Sequence, residues 1–283
     1  EYMSVRKTGV AGRLEWISEE KTEDISSFSL NASEGKAQYS FTPEKAGSYN
    51  LTLTSKDAKG RLNYTDYSFY VTDGEAYWKQ TDDDLLSLQL NKDEYKIGSK
   101  ASLLIKSPYK KAQALITVER EGVLDYYVKT VKGGAAKVSI PVKENYAPNA
   151  FISVILVQGR AEEQKYADNG EDLSKPQAKF GYAVLNVPPK EFELKTYVSA
   201  ERGDYRPGQT VNVNIRTEDY KGRGTPASVT VFAVDESMLA LTAYETPDPF
   251  SFFYAKRPLA VETADNRLFV IGQRSFGQKG ENR

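Results

Sequence analysis

Phe151-Ile152-Ser153-Val154-Ile155-Leu156-Val157 is apolar at every position but Ser153. A short run of this kind, rich in β-branched residues, reads as a central strand covered on both faces. Its surroundings alternate instead. Before it come Leu86, Leu88 and Leu90, then Ala101, Leu103 and Ile105, then Ala114, Ile116 and Val118. Tyr126, Val128 and Thr130 follow, then Val138, Ile140 and Val142, and Phe180 to Val187 closes the set beyond the central run. Turn signals at Gly133-Gly134 and Ala147-Pro148-Asn149 separate them. Seven short strands between residues 85 and 187 are the number in an immunoglobulin- or fibronectin-III-like sandwich.

The flanks read as incomplete sandwiches. Residues 1–73 yield about five strands, near 12–17, 26–30, 37–41, 48–55 and 62–72. From Glu191 onward three are expected: Phe192–Val198, Val211–Ile215 and Val229–Val234. Three strands cannot close a sandwich, so the third unit needs strands from elsewhere. Two internal echoes support the division. Asp93-Glu94-Tyr95-Lys96-Ile97-Gly98 matches Gly203-Asp204-Tyr205-Arg206-Pro207-Gly208, each before an alternating strand. The Tyr would pin one strand end and the Gly would turn the chain into the next. Asp57-Ala58-Lys59-Gly60-Arg61 returns as Asp219-Tyr220-Lys221-Gly222-Arg223, a hairpin-turn signal that is weak alone. Linkers fall near Thr72-Asp73-Gly74 and at Val187-Pro188-Pro189, where Pro-Pro cannot continue a ladder. The expected architecture is all-β: tandem antiparallel β-sandwiches, the first and last incomplete. The expected divisions are 1–74, 75–188, 189–242 and an irregular segment at 243–283.

Composition narrows the chemistry. The chain has 283 residues, more than one sandwich needs, and a net charge of −1, which gives no bulk attraction to nucleic acid. It has no His and no Cys. That excludes Ser-His-Asp and Cys-His catalysis, disulfides and His/Cys zinc sites. Carboxylate pairs, Ser-Lys pairs and oxygen-ligated Mg²⁺ or Ca²⁺ survive. Nineteen Tyr favour strands, where the ring buries and the hydroxyl stays wet. No apolar stretch is long enough to span a membrane. Glu1-Tyr2-Met3-Ser4 is no signal peptide, and the chain is expected to be an internal excerpt of a longer protein.

Candidate sites are few. Asp82-Asp83-Asp84 and Asp168-Asn169-Gly170-Glu171-Asp172 lack Ca²⁺-loop spacing and read as a solvated linker and an exposed loop. No acidic residue is set among apolar strand ends as a glycosidase carboxylate would be. Trp16, Trp78 and the Tyr residues read as core and junction packing rather than a sugar platform. Lys106 beside Ser107 reads as a chance neighbour. Asn31-Ala32-Ser33, Asn50-Leu51-Thr52 and Asn63-Tyr64-Thr65 fit the glycosylation pattern at a near-chance rate. No catalytic, cofactor or metal residues are expected. Asp235 to Leu241 could form one helical turn, and a Pro-punctuated loop follows at Thr246-Pro247-Asp248-Pro249-Phe250. Beyond Thr242 the chain gathers Tyr244, Phe250, Phe252, Phe253, Tyr254, Lys256, Arg257, Arg267, Phe269, Arg274, Phe276 and Lys279. These are side chains that trypsin-like and chymotrypsin-like proteases prefer, in an irregular segment that a protease cleft could thread.

Val231-Phe232-Ala233-Val234-Asp235-Glu236-Ser237-Met238-Leu239-Ala240-Leu241-Thr242 resembles the strand just before the bait region of bacterial α2-macroglobulins. Tyr244, Thr246 to Phe250, Phe253-Tyr254 and Arg257-Pro258-Leu259 continue the likeness, and Tyr205-Arg206-Pro207-Gly208-Gln209 opens the same unit. The signature positions are Tyr205, Pro207, Gly208, Val234, Asp235, Glu236 and Leu239. Tyr95-Lys96-Ile97-Gly98 and Ala114 to Arg120 are similar to the preceding macroglobulin (MG) domain. Phe41-Thr42-Pro43 and Ala46-Gly47-Ser48-Tyr49 are similar to the end of the domain before that. The resemblance implies a string of MG sandwiches leading into a bait segment, in a broad-spectrum endopeptidase inhibitor that entraps proteases after bait cleavage. It implies target proteases and the rest of the parent chain as partners, and a periplasmic or cell-envelope location with a lipid anchor outside this chain. The thioester segment Cys-x-Glu-Gln of many members is absent here. Two other classes fit bare tandem sandwiches: an adhesin or carbohydrate-binding array, and the accessory modules of a polysaccharide-degrading enzyme.

Overall fold

The computed structural model describes residues 2–8, 14–33, 35–45, 47–71, 78, 81, 83–160, 172 and 174–264, with 2–8 and 14–20 as backbone alone. It is all-β apart from two short α-helices and single 3₁₀ turns.

The first region is two antiparallel hairpins: β1 (Tyr2–Thr8) with β2 (Leu14–Glu20), and β3 (Gly47–Lys56) with β4 (Leu62–Val71). The strands expected near 12–17, 48–55 and 62–72 are present, and β1 adds one that the alternation did not suggest. The segments 26–30 and 37–41 join no ladder. Rings hold them instead: Phe28 stacks on Tyr39 with centroids 3.8 Å apart, and Phe41 meets Phe69 edge-on at 5.9 Å. Alternation made them look like strands, but an aromatic row satisfies the same apolar positions without backbone pairing.

The middle region is the seven-stranded sandwich that the central run predicts. β5 (Leu88–Leu90), β6 (Lys100–Lys106) and β9 (Ala135–Pro141) form one sheet in the order β5-β6-β9. β7 (Lys111–Glu119), β8 (Val123–Lys132), β10 (Asn149–Gln158) and β11 (Gln177–Asn186) form the other in the order β11-β10-β7-β8. All pairs are antiparallel. β10 is central as its sequence requires, flanked by β7 and β11. Alternate residues from both sheets, among them Leu103, Ile105, Ile116, Val118, Ile140, Ile152, Val154 and Leu156, are fully buried between them. At about 25 cal/mol per Å² of apolar area, each such side chain contributes roughly 1.5–3 kcal/mol. Among the described residues this is the one region with a closed core.

The chain enters it by a close approach. Leu86 N–H donates to Phe180 O at 2.6 Å, and Phe180 N–H to Asp84 O at 2.7 Å, before the chain crosses to pair as β5. The approach needs Gly181, because a Cβ there would lie 2.2 Å from Leu86 O.

The third region leaves through a 3₁₀ turn at Lys190–Phe192. It then forms the hairpin of β12 (Lys195–Ala200) and β13 (Val213–Glu218). The expected strand Val229–Val234 joins no ladder: Val229, Val231, Phe232 and Val234 are all exposed. Its pattern asks for a covering sheet, and no strand among the described residues supplies one.

Both sequence echoes are structural repeats. Tyr95 Oη accepts from Lys92 N–H at 3.0 Å, and Tyr205 Oη accepts from Arg202 N–H at 3.1 Å. Gly98 and Gly208 follow at φ +78° and +85°, where a side chain would be strained. In the second echo Asp57 Oδ1 accepts from Lys59 and Arg61 N–H, each at 2.9 Å. Asp219 Oδ1 does the same with Lys221 at 2.9 Å and Arg223 at 3.0 Å.

Candidate functional site

The segment after Val234 is built from two capped turns and a strap. Asp235 has extended backbone and accepts from Ser237 N–H at 2.8 Å, capping α1 (Glu236–Thr242). Bonding from the Ser237 side chain and then its backbone holds the Asp235 carboxyl below the usual carboxylate range. Glu236 in the first turn adds favourable charge at the helix N-terminus. The helix ends with Ala243 in the left-handed region, φ 47°, and Tyr244 N–H donates back to Leu239 O at 3.1 Å. Asp235, Glu236 and Leu239 are therefore a cap, a first-turn acid and a helix-ending acceptor. Tyr205 and Gly208 build the turn described above, with Pro207 between them.

Asp248 caps α2 (Pro249–Phe253) in the same way, accepting from Phe250 N–H at 3.0 Å. The Ser251 hydroxyl is the main reason that its carboxyl titrates low. Pro249 sits at the first helical position, where its missing N–H costs nothing. Phe252 and Phe253 are exposed, at 77% and 66%. Phe250 packs on Tyr254, centroids 5.0 Å apart, and Tyr254 stacks on Phe192 at 5.3 Å with rings within 4° of parallel.

After Tyr254 the chain meets the middle sandwich. The Asn149 side chain pairs with the Arg257 backbone in both directions: Arg257 N–H donates to Oδ1 at 2.8 Å, and Nδ2 donates to Arg257 O at 2.9 Å. The Arg257 guanidinium reaches Glu121 at 2.7 Å, which is the main cause of that carboxyl's lowered pKa. Ala260 N–H donates to Arg120 O at 2.8 Å, and Tyr182 Oη lies 3.3 Å from Thr263 Oγ1. Asn149 is 2% exposed.

Among the protease-preferred side chains, Tyr244 and Phe253 are exposed, Phe250 and Tyr254 are half-buried, Lys256 is exposed, and Arg257 is engaged with Glu121. Arg267, Phe269, Arg274, Phe276 and Lys279 lie outside the described residues. Sequence reasoning missed Asn149, Glu121 and Tyr182 as partners. The available signal was Asn149 itself, a polar residue opening the most apolar run of the chain.

The other candidates resolve into packing. Lys106 Nζ sits 3.6 Å from the Tyr70 ring centroid, while Ser107 is buried and donates to Tyr109 O at 3.0 Å, so the two form no dyad. Trp78 meets Tyr70 edge-on at 5.5 Å, and its Nε1–H donates to Gly134 O. The Thr81 hydroxyl and Leu85 N–H donate to the Asp83 carboxylate, at 2.8 and 3.0 Å. Asp172 pairs with Arg160 at 2.6 Å. Trp16 has no described side chain, and 161–171 lie outside the described residues. Among the described residues no acidic group is arranged to hold a metal, and no helix is long and apolar enough to cross a membrane.

Comparison with known proteins bears on this arrangement. The family model of the alpha-2-macroglobulin bait region domain matches residues 86–241, from the start of the sandwich to the end of α1. An alpha-2-macroglobulin homolog of Nostoc sp. is 31% identical over 234 residues, covering 82% of this chain and 12% of that protein. The alpha-2-macroglobulin of Ralstonia nicotianae is 26% identical over 246 residues, 83% of this chain and 14% of that one. A crystal structure of Salmonella alpha-2-macroglobulin reacted with methylamine aligns over 92% of this chain and 16% of its own, at 19% identity and TM-score 0.34. The chain thus spans about an eighth of the length of these curated relatives. With its seven-stranded sandwich, its repeated Tyr–Gly turn and the Asp235-capped helix at the end of the matched span, the chain belongs to the bacterial alpha-2-macroglobulin family.

Proposed function

We propose that this chain is part of a broad-spectrum endopeptidase inhibitor, and that the segment after Thr242 leads into the bait whose scission starts entrapment. The observation that carries the reading is the bait-region-domain match at 86–241. It runs directly into exposed turns bearing Tyr244, Phe252 and Phe253. The three sandwich units, divided at about 74 and 188, act as scaffold and spacers, and no residue does bond-breaking chemistry. Target proteases and the rest of the parent chain are the partners, in the periplasm or cell envelope. The physical device is a tether: scission lets domains packed against one another relax to a different arrangement around the enzyme. Specificity then belongs to the protease, so varied aromatic and basic residues make a broad target.

The test uses the full-length protein with trypsin-like, chymotrypsin-like and elastase-like enzymes in turn, and maps the cuts by mass. The expected result is early cutting beyond Thr242, with activity lost on a large substrate and kept on a small one. Early cuts confined to 73–190, or a protease that stays active on large substrates, overturn the reading. Glycan binding by the sandwiches would then favour an adhesin-like array.

A further inference from the structure

We propose that the outer face of the β11-β10-β7-β8 sheet is the docking surface for residues 254–263 of the same chain, and that Asn149 thereby determines which of its bonds a protease can cut. The inference rests on the proposed function only for its biological use; the docking stands on geometry alone.

Three observations converge. The first is the pairing of Asn149 with both backbone groups of Arg257, a contact that reads the main chain rather than a side chain. The second is the burial rhythm of the strap. Leu259 and Val261 are half-buried while Pro258, Ala260 and Glu262 are exposed, the period of an extended chain lying on a surface. The third is the sheet's own burial. On β10, Ile152, Val154 and Leu156 point into the sandwich, so Ser153 points out, opposite Tyr182 on β11. Ser153 is nevertheless 2% exposed, and Glu119, opposite Phe151 on the same outer face, is 3% exposed. Burial on this face is uneven: Ala178, opposite Val157 at the far end, is 3% exposed, while Tyr182 and Val184, opposite Ser153 and Phe151, are 46% and 50% exposed. The two buried polar residues, Ser153 and Glu119, lie at the end where Arg257, Ala260 and Thr263 bond.

The chemical consequence concerns the Lys256–Arg257 bond. A protease must take the backbone around the scissile bond in extended form, with its polar groups free to pair with the cleft. Here the N–H of that bond is held by Asn149 Oδ1. Arg257–Pro258 is itself a poor target, because proline follows the arginine. The bonds after Lys256 and Arg257 are therefore withheld while the strap is docked.

The experiment treats the chain with a trypsin-like protease under native conditions, maps the cuts by mass, and follows amide hydrogen exchange. Two variants are compared with the parent sequence: Asn149→Ala, which removes the backbone clamp, and Glu121→Ala, an exposed change that leaves the sandwich core untouched. The parent should be cut after Lys256 at least about tenfold more slowly than a free peptide of residues 250–263, because cleavage of a docked segment follows its open population. Both variants should narrow that gap, and the Arg257 and Ala260 amides should exchange faster while those of Ile116 and Ile152 do not change. Equal rates after Lys256 in the parent and in the free peptide, or unprotected Arg257 and Ala260 amides, overturn the docking. So do unchanged rates in both variants. A docked strap in a protein that fails to trap proteases would leave this inference standing and sink the inhibitor reading, so the two failures are distinguishable.

Discussion

Tyr95 and Tyr205 perform one task in two units: each hydroxyl accepts the amide hydrogen three residues before it, and a left-handed Gly follows. That repeat was legible because Tyr and Gly are both costly to replace there. The Asp57 and Asp219 echo was a turn signal too weak to stand alone, since Asp-x-Lys-Gly recurs wherever hairpins occur, yet these hydrogen bonds match atom for atom. Asn149 was read only as part of a turn, because nothing in a sequence says that an amide will be met by a backbone more than 100 positions later. Gly181 was read as one strand residue among others, since its need for no side chain comes from the Leu86 carbonyl oxygen, which would stand 2.2 Å from any Cβ at that position. Gly181→Ala should cost roughly 1–3 kcal/mol by overpacking. Urea unfolding of the middle sandwich would show it as a lower midpoint with an unchanged slope. An unchanged midpoint would mean that the entering strand shifts without penalty.

At the scale of elements, all seven strands of the middle unit were legible because each has an inward face and an opposite sheet to fill. Val229–Val234 has the same alternation and forms no ladder, and 26–30 and 37–41 pack through rings. Alternation records which side chains seek burial; pairing also needs a neighbour with a free edge. The connection from β9 to β10 offers a test of packing between elements. Lys143 and Tyr146 on that connection both bond Asp125 of β8, the lysine at 2.6 Å. Burial opposes ionisation of Asp125, but the bonds from Lys143 and Tyr146 outweigh it and hold the carboxyl below its ordinary value of 3.8. A depressed folded pKa contributes stability above the unfolded value, and that stability fades as pH falls through the folded one. The stability gap between the parent and Asp125→Asn should be full above about pH 5 and should shrink as pH falls below about 4. A gap constant across that window would remove the ionised carboxylate from the account.

For the whole molecule, the units differ in what they leave uncovered. The middle sandwich closes a core, whereas the third unit leaves Val198, Val213, Ile215, Val231 and Phe232 exposed at 41–63%. A surface of this kind asks for a cover. The chain should bind a hydrophobic dye through this unit, and Val231→Ser with Phe232→Ser should lower the dye signal markedly while the melting of the middle sandwich is unchanged. A signal untouched by both changes would put the sticky surface elsewhere. The incompleteness was legible from counting strands; its consequence for Val229–Val234 was not, because a segment without a partner cannot display the structure its pattern encodes.

The stack of Phe192 on Tyr254 has a topological consequence. The chain departs from the middle sandwich beside Phe192 and comes back to it at Tyr254, so everything between is an excursion whose two ends meet. The entropy of closing such a loop grows only slowly with its length, so the excursion can be large without weakening its base. A nick inside it leaves both broken ends moored to the same body. Cutting the backbone there opens the loop without by itself parting the elements at its base.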